Sequence, residues 1–333
     1  MPRIVYSDGT APGITRQQVS GGWGYWGPDG NRITDRDEID RLNKIGLPPA
    51  YRDAWFNPNP NGHIQAIGWD DKGRKQYRYH LGFREKQETA KYDRCADFGR
   101  ALPKLRKKVE ADLKKRSMTK DRAVAAVVRL LDEAHVRVGN EGYVKANESY
   151  GATTLRKQHA DVKGATLRLE YKAKSGKIRR LKVTDRTLAN FVKKCQDLDE
   201  QHLFAWVDTD GNPHPVTSSD VNDYIRTATG GEFTAKHFRT WAASVAAFEA
   251  LATAPGDLTL KMLLEPVVAK LGNTPAIARK SYVHPSLIGL IKKGQARFRT
   301  KLKLPAAGKH LTRYERALIA YLDPKVRAAK AAA

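Results

Sequence analysis

Cysteine is almost missing from this chain of 333 residues: there are two, Cys95 and Cys195. So distant a pair makes neither a disulfide framework nor a zinc cluster, and a reducing cytoplasm is the plain expectation. No run of about 18 apolar residues occurs, so no membrane span is expected. The opening MPRIVYSDGT has no apolar stretch of the kind a secretory signal requires. Both glycine-rich phosphate signatures, GxxxxGK[ST] and GxGxxG, are absent, which removes the usual routes to ATP-driven chemistry and dinucleotide binding. The segment DTDGNPHPVTSSD, starting at Asp208, has the spaced carboxylates of a calcium loop, but Pro213 stands where such a loop needs glycine and the closing glutamate is missing. Nor do acidic residues fall into the clusters that a two-metal nuclease needs. Neither a cofactor nor a metal is expected.

Acidic residues are scarce in relation to basic ones: 36 Asp and Glu face 60 Lys and Arg, a net charge of +24. Folding gains nothing from mutual repulsion on that scale, so the excess points to a polyanionic partner, nucleic acid before an anionic membrane surface. Hydrophobic residues make up 41 % of the chain, enough for a sizeable core. Texture changes near residue 90. Before it the chain is rich in Gly, Pro, Trp and Tyr, with turn signals in GGWGYWGPDGN and NPNPNG. HIQAIGWDDKGRKQYRYHLGF reads as two strands around Asp71–Gly73, with His63, Gln65 and Ile67 alternating with Ile64, Ala66 and Gly68, and Tyr77 and Tyr79 alternating with Gln76 and Arg78. Residues 1–90 are therefore expected to form a small β-rich domain, and 91–333 a larger, mainly helical one.

In the second part, DRAVAAVVRLLDEAHVRVGN places Val124, Val127, Val128, Leu131 and His135 on one helical face, with Gly139 and Asn140 as a stop. ATLRLEY and IRRLKV read as strands joined by KAKSGK, and Thr184 or Asp185 caps a helix after them. Further helices are expected near 218–228, 236–253, 257–271, 275–283 and 310–322, with a frayed tail from about 325. In GNTPAIARKSYVHPS, Thr274 serves as N-cap, Pro275 fits the first helical position and Pro285 blocks continuation. Tyr282 then sits in the last turn.

A tyrosine that attacks a phosphodiester has definite needs. Its free pKa of about 10 leaves roughly one molecule in a thousand ionised at pH 7, so cations must lie beside it. Charge on the non-bridging oxygens suits forked guanidinium donors, and the leaving alkoxide needs a proton. The chain offers each part: Arg137 in AHVRVGNEGY; Arg239 in TAKHFRTWAASVAAF, opposite a core stripe of Phe238, Trp241, Val245 and Phe248 and beside Ala242, Ala243 and Ala246; Lys174 at the tip of YKAKSGK; Asn273 ahead of the Tyr282 helix. His237 neighbours Arg239 in sequence but faces differently and takes no role.

This ordered set, with RVGN, KHFRT and GNTPAIARKSY around its members, resembles the type IB DNA topoisomerases, in particular their small poxvirus-like branch found in bacteria. DDKGRKQYRYH and NESYGATTL are similar to that family as well. The resemblance covers nearly the whole chain, most securely 60–300. It implies an α+β fold: a β-rich DNA-clamp domain (1–90) and a mainly helical catalytic domain (91–333) with a short β-hairpin, like that of tyrosine recombinases and topoisomerase IB. It implies a monomer that clamps duplex DNA in the cytoplasm, associated with the nucleoid. It implies relaxation of supercoils without ATP or metal, with Tyr282 as nucleophile, Arg137, Arg239 and Asn273 stabilising the transition state, and Lys174 as general acid. Gln76, Tyr77, Tyr79 and Tyr143 would contact DNA. Asn273 stands where the poxvirus branch has histidine. A tyrosine recombinase is the nearest alternative, but that family usually has histidine where Lys236 stands and an all-helical N-terminal domain. A non-enzymatic nucleoid protein would explain the charge without the ordered set.

Overall fold

In the computed structural model, residues 3–71, 73–84 and 92–323 are described, apart from the side chain of Tyr143. The expected frayed tail lies outside these residues. The chain divides into two units, Met1–Lys91 and Tyr92–Ala333.

The first unit is a five-stranded antiparallel sheet in the order β2-β1-β3-β4-β5. The strands are β1 (Ile14–Val19), β2 (Gly22–Trp26), β3 (Arg52–Phe56), β4 (Ile64–Trp69) and β5 (Lys75–Tyr79). Helix α1 (Arg36–Lys44) is N-capped by Asp35 and contributes Leu42 to a small core with Ile14, Tyr25, Leu47, Phe56 and Ala66. The expected β4–β5 hairpin is present, with Ile67 paired to Tyr77 and Gly68 to Gln76. Its turn is fastened by the Asp70 carboxylate, which accepts from the Arg74 backbone, the Arg74 guanidinium and Gln76 Nε2. The one-sided alternation expected of β4 is not what forms: Ile64 to Gly68 are all buried. Tyr51 and Leu47 crowd Gly68 on one face, while Gly9 of the N-terminal segment lies against Ile67 on the other. β5, at the sheet edge, keeps Tyr77 and Tyr79 exposed.

The second unit is mainly helical. Long helices α2 (Cys95–Leu113), α3 (Lys120–Ala134), α6 (Ser218–Thr229) and α7 (Ala235–Thr253) share one core. α3 is capped by Thr119 and is buried on nearly every side, not along one stripe: Ala123, Ala125, Ala126 and Leu130 are as inaccessible as Val124, Val127 and Leu131. Its alanines let neighbouring helices approach closely, which a one-face periodicity does not reveal. It also ends earlier than Gly139. His135 adopts the left-handed conformation (φ 51°) and closes the helix, whereas Asn140 caps a short helix α4 (Glu141–Asn147) that the sequence did not suggest.

Three antiparallel strands, β6 (Ala160–Lys163), β7 (Thr166–Lys172) and β8 (Ile178–Thr184), form the second unit's larger sheet, followed by α5 (Arg186–Gln196) capped by Asp185. The segment from Asp208 forms the turn of a small hairpin, β9 (Ala205–Val207) with β10 (Pro213–Pro215). There the Asp208 carboxylate accepts from Asp210 N, Asn212 N and His214 Nε2. The chain then runs through α8 (Leu260–Leu271), α9 (Pro275–Ser281), α10 (Pro285–Lys292), α11 (Gln295–Lys301) and α12 (Arg313–Leu322). α10 and α11 were not expected, because Pro285 opens a new helix instead of only ending the old one.

α12 is joined to the core by a polar knot. Arg106 donates to both oxygens of Asp132 and of Glu315, and Trp241 Nε1 donates to Glu315. Burial works against the Arg106 charge, but its two carboxylate partners hold its pKa above the ordinary value. Removing one partner of a buried pair costs far more than the pair contributes. Arg106→Met is therefore expected to destabilise the protein by about 3 kcal/mol, read from the urea midpoint; a loss under about 1 kcal/mol would show that water compensates the two carboxylates.

Candidate active site

The site is built around a buried cation. Arg239, in the second turn of α7, is 4 % exposed. Among the described residues it has no carboxylate partner. Its Nη1 donates to His135 O, and its Nη2 to Leu271 O at 3.2 Å and Asn273 Oδ1 at 3.1 Å. His135 caps the C-terminus of α3 and Leu271 is the last residue of α8. Two helix C-termini, each carrying partial negative charge, therefore aim carbonyls at one guanidinium. They stabilise the cation without neutralising it. Burial, with Arg137 and Arg179 nearby, lowers the Arg239 pKa, and Tyr282 opposes that shift.

Asn273 is 6 % exposed and accepts a second guanidinium bond, from Arg137 Nη2 at 2.9 Å. Two donors on Oδ1 fix the amide's orientation, so Nδ2 must point away from both arginines. Nδ2 is buried and without a partner among the described residues, as is Arg239 Nε. An unmet buried donor costs about 1–3 kcal/mol, and such groups mark places where an acceptor is awaited.

Arg137 comes to Asn273 from an extended segment beyond α3, not from the helix end expected. The segment is held by the short 3₁₀ turn Ala152–Thr154: Ala152 N donates to Arg137 O and Thr153 N to Val138 O. Gly151 permits this approach, since a Cβ there would lie 2.7 Å from Arg137 O and 2.6 Å from Gly139 N. RVGN and YGATT are thus two sides of one contact.

Tyr282 is the C-cap of α9, one residue past the last turn, and its ring centroid lies 4.9 Å from the Arg239 guanidinium carbon. Burial pushes its hydroxyl pKa up, but Arg239, Arg137 and Lys236 outweigh that and hold it below the ordinary value. The backbone is pinned by a residue the sequence reading passed over. Ser244 Oγ donates to Tyr282 O at 3.4 Å and accepts from His284 N at 3.1 Å. The signal was there: Ser244 is the single polar residue in WAASVAAF.

Lys174 lies on an exposed turn, Lys174–Gly176, at the end of the β7–β8 hairpin, and makes no hydrogen bond or ion pair with any described residue. His237 turns away from Arg239, with its ring against Phe98 and Phe233. In the first unit, Gln76 is held by Asp70, and the Tyr77 and Tyr79 rings stack at 5.9 Å with Lys75 over Tyr77. The Tyr143 side chain lies outside the described residues. Among those residues no group of three or more His, Cys, Asp or Glu could hold a metal ion, and no helix is long and apolar enough to cross a membrane.

The model for the catalytic core of eukaryotic DNA topoisomerase I matches residues 80–280, and that for the N-terminal domain of bacterial DNA topoisomerase IB matches 22–70. A DNA topoisomerase 1B of Acanthamoeba polyphaga mimivirus is 32 % identical over 285 residues, covering 81 % of this chain and 85 % of the viral one. The chain belongs to the type IB DNA topoisomerases. DNA topoisomerase 1 of Mycosarcoma maydis is 27 % identical over 222 residues, 60 % of this topoisomerase but 22 % of the fungal protein. A post-cleavage complex of the XerH site-specific recombinase with palindromic difH substrate aligns with TM-score 0.35 and 17 % identity, over 54 % of this chain and 47 % of that one.

His135 gives the topoisomerase a specific pH response. Burial, with Lys270, Arg239 and Arg106 near it and Glu315 opposing, lowers its pKa to about 3. The unfolded chain, with a histidine pKa of about 6.5, binds the proton that the folded one refuses, so stability falls as pH drops below that value. Between pH 7 and pH 5 this residue should cost about 2 kcal/mol. His135→Asn, which suits the left-handed position, should shrink the stability loss over that interval by about this amount in urea titrations; an unchanged loss would mean His135 is protonated in the native state.

Proposed function

We infer that this topoisomerase relaxes supercoiled duplex DNA by reversible attack of Tyr282 on a backbone phosphate. The Tyr282 oxygen bonds to phosphorus and the bond to O5′ breaks, leaving a 3′-phosphotyrosyl link and a 5′-hydroxyl. The free end swivels and attacks back, and because each step exchanges one phosphodiester for another, neither ATP nor a metal is consumed. The observation that carries this reading is the convergence of Arg137, Arg239, Asn273 and Tyr282 from four separate segments, with Asn273 Nδ2 buried and unmet.

In this reading the residues divide the chemistry among them. Arg239 lowers the Tyr282 pKa and, with Arg137, faces the developing charge on the non-bridging oxygens. Asn273 supplies Nδ2 to one of those oxygens. Lys174 delivers a proton to the departing O5′ from its exposed turn. Tyr77, Tyr79 and Lys75 offer exposed aromatic and cationic surface suited to a duplex backbone, with Gln76 held beside them and Tyr143 in the catalytic unit. The protein would act as a monomer clamped on duplex DNA and reside with the nucleoid. A recombinase reading gains nothing here: Lys236, where recombinases place histidine, is exposed and acts on Tyr282 only as a nearby charge.

Supercoiled plasmid incubated in EDTA without ATP should be relaxed by the wild type and form a covalent adduct trapped by detergent. Tyr282→Phe should show neither, and relaxation by that variant would assign the nucleophile elsewhere. Lys174→Ala should cleave ordinary DNA about 10²-fold or more slowly, the usual contribution of a general acid. A 5′-bridging phosphorothiolate, whose thiolate leaves without a proton, should restore most of that loss; no restoration would remove Lys174 from the acid role.

A further inference from the structure

Lys174 raises a problem of reach. Its turn is exposed, and a proton donor must meet one oxygen within hydrogen-bond distance. The turn itself is stiff: Ala173 N donates to Lys177 O, Gly176 N donates to Ala173 O, and Ser175 sits at φ 66°. The question is therefore what registers the end of the hairpin against the nucleophile's segment.

The side chain of Arg179 spans the two. Arg179 pairs with Tyr171 across the β7–β8 ladder, five residues beyond Lys174. Its neighbour Arg180 points outward to Glu170 at 2.8 Å. Arg179 points the other way and lies over Gly272. A Cβ at Gly272 would fall 2.0 Å from Arg179 Nη1, and Arg179 Nη2 reaches the Lys270 carbonyl at 3.5 Å. Gly272 is the left-handed cap of α8 (φ 67°) and immediately precedes Asn273. The same guanidinium shares a small cavity with Arg137, Tyr171 and Arg239. Burial raises the pKa of the Tyr171 hydroxyl against these three arginines, so it stays a neutral spacer among them.

We propose that Arg179 is a positioning residue that latches the Lys174 hairpin onto Gly272–Asn273, so that the proton donor and the phosphate-binding amide move as one. This rests on the reading of Lys174 as general acid. In the step concerned the P–O5′ bond breaks, its electron pair stays on O5′, and the proton of the Lys174 ammonium joins that oxygen. Arg179 touches none of these atoms. Losing it frees the hairpin and misplaces the donor, while Arg137, Arg239, Asn273 and Tyr282 keep their own contacts.

Single-turnover cleavage distinguishes this from a structural role. The substrate is a duplex with a cleavage site mapped for the wild type, made with an ordinary 5′-oxygen or a 5′-bridging sulfur. Arg179→Ala should cleave the oxygen substrate about 10- to 100-fold more slowly, no more than the loss of the general acid itself, yet cleave the sulfur substrate within about threefold of wild type. The double variant with Lys174→Ala should be no slower than Lys174→Ala alone, since the two act through one event. Arg179→Lys should recover part of the rate on oxygen. Equal slowing of Arg179→Ala on both substrates would overturn the latch and place Arg179 on the phosphate or in the fold. If Lys174→Ala itself is not rescued by sulfur, the acid assignment falls and the latch falls with it; if Lys174→Ala is rescued and Arg179→Ala is not, the latch alone fails.

Discussion

A guanidinium held by carbonyls, not by carboxylates, is the constraint on which the catalytic unit depends. A buried Arg239 needs acceptors, and an aspartate would satisfy it most directly. It would also cancel the charge. The ends of α3 and α8 supply oxygen without a full negative charge, so the cation stays available to an anion. That solution dictates where the two helices stop. His135 adopts a left-handed conformation that closes α3 with its own carbonyl turned to Arg239, and a left-handed Gly272 closes α8 so that the carbonyl of Leu271 before it meets the same guanidinium.

The choice of Asn273 follows from the same logic. Its Oδ1 has two lone pairs and takes one guanidinium bond on each. A neutral imidazole has one acceptor lone pair and could not serve both arginines at once. Asparagine brings no positive charge of its own, but the two arginines bound to its oxygen provide it. The unmet Nδ2 is the part of the residue left over for chemistry.

Much of this was legible in local chemistry. α6 and α9 begin at the expected residues because the Thr217 and Thr274 side chains cap them, with Pro275 at the first position of α9, and α7 begins one residue earlier than expected, after Thr234, whose backbone N donates to His237 Nδ1. The β7–β8 hairpin was equally plain from its alternation and its KAKSGK turn. The end of α3 was misread because Gly139 and Asn140 are sound local stop signals, whereas the true stop at His135 is set by a partner about a hundred residues away in the chain. Burial of α3 on all sides also escaped, since alanine at every face carries no periodicity. Within the site, Arg137, Arg239, Asn273 and Tyr282 were identified and come together. Arg179 was not, because in KIRRLK four cations look alike and only the ladder register tells which one turns inward. The alternation in β5 did not tell which side would be exposed, and Arg78 is exposed as well as Tyr77 and Tyr79, while the burial of both faces of β4 depended on an N-terminal segment with no strand signal of its own.

The staple at Ser244 has a mechanical meaning. If Tyr282 carries the cut DNA end as proposed, torsion stored in the duplex acts on the protein through one side chain while the other end spins. α9 is only seven residues long and would yield alone. But the backbone on either side of Tyr282 is tied to α7 through one hydroxyl, and Ala278 and Val283 are fully enclosed beneath it. The load passes into a nineteen-residue helix in the middle of the core. Ser244 would then act as a mooring, keeping the phosphate in place so that the returning strand finds the bond it must reseal.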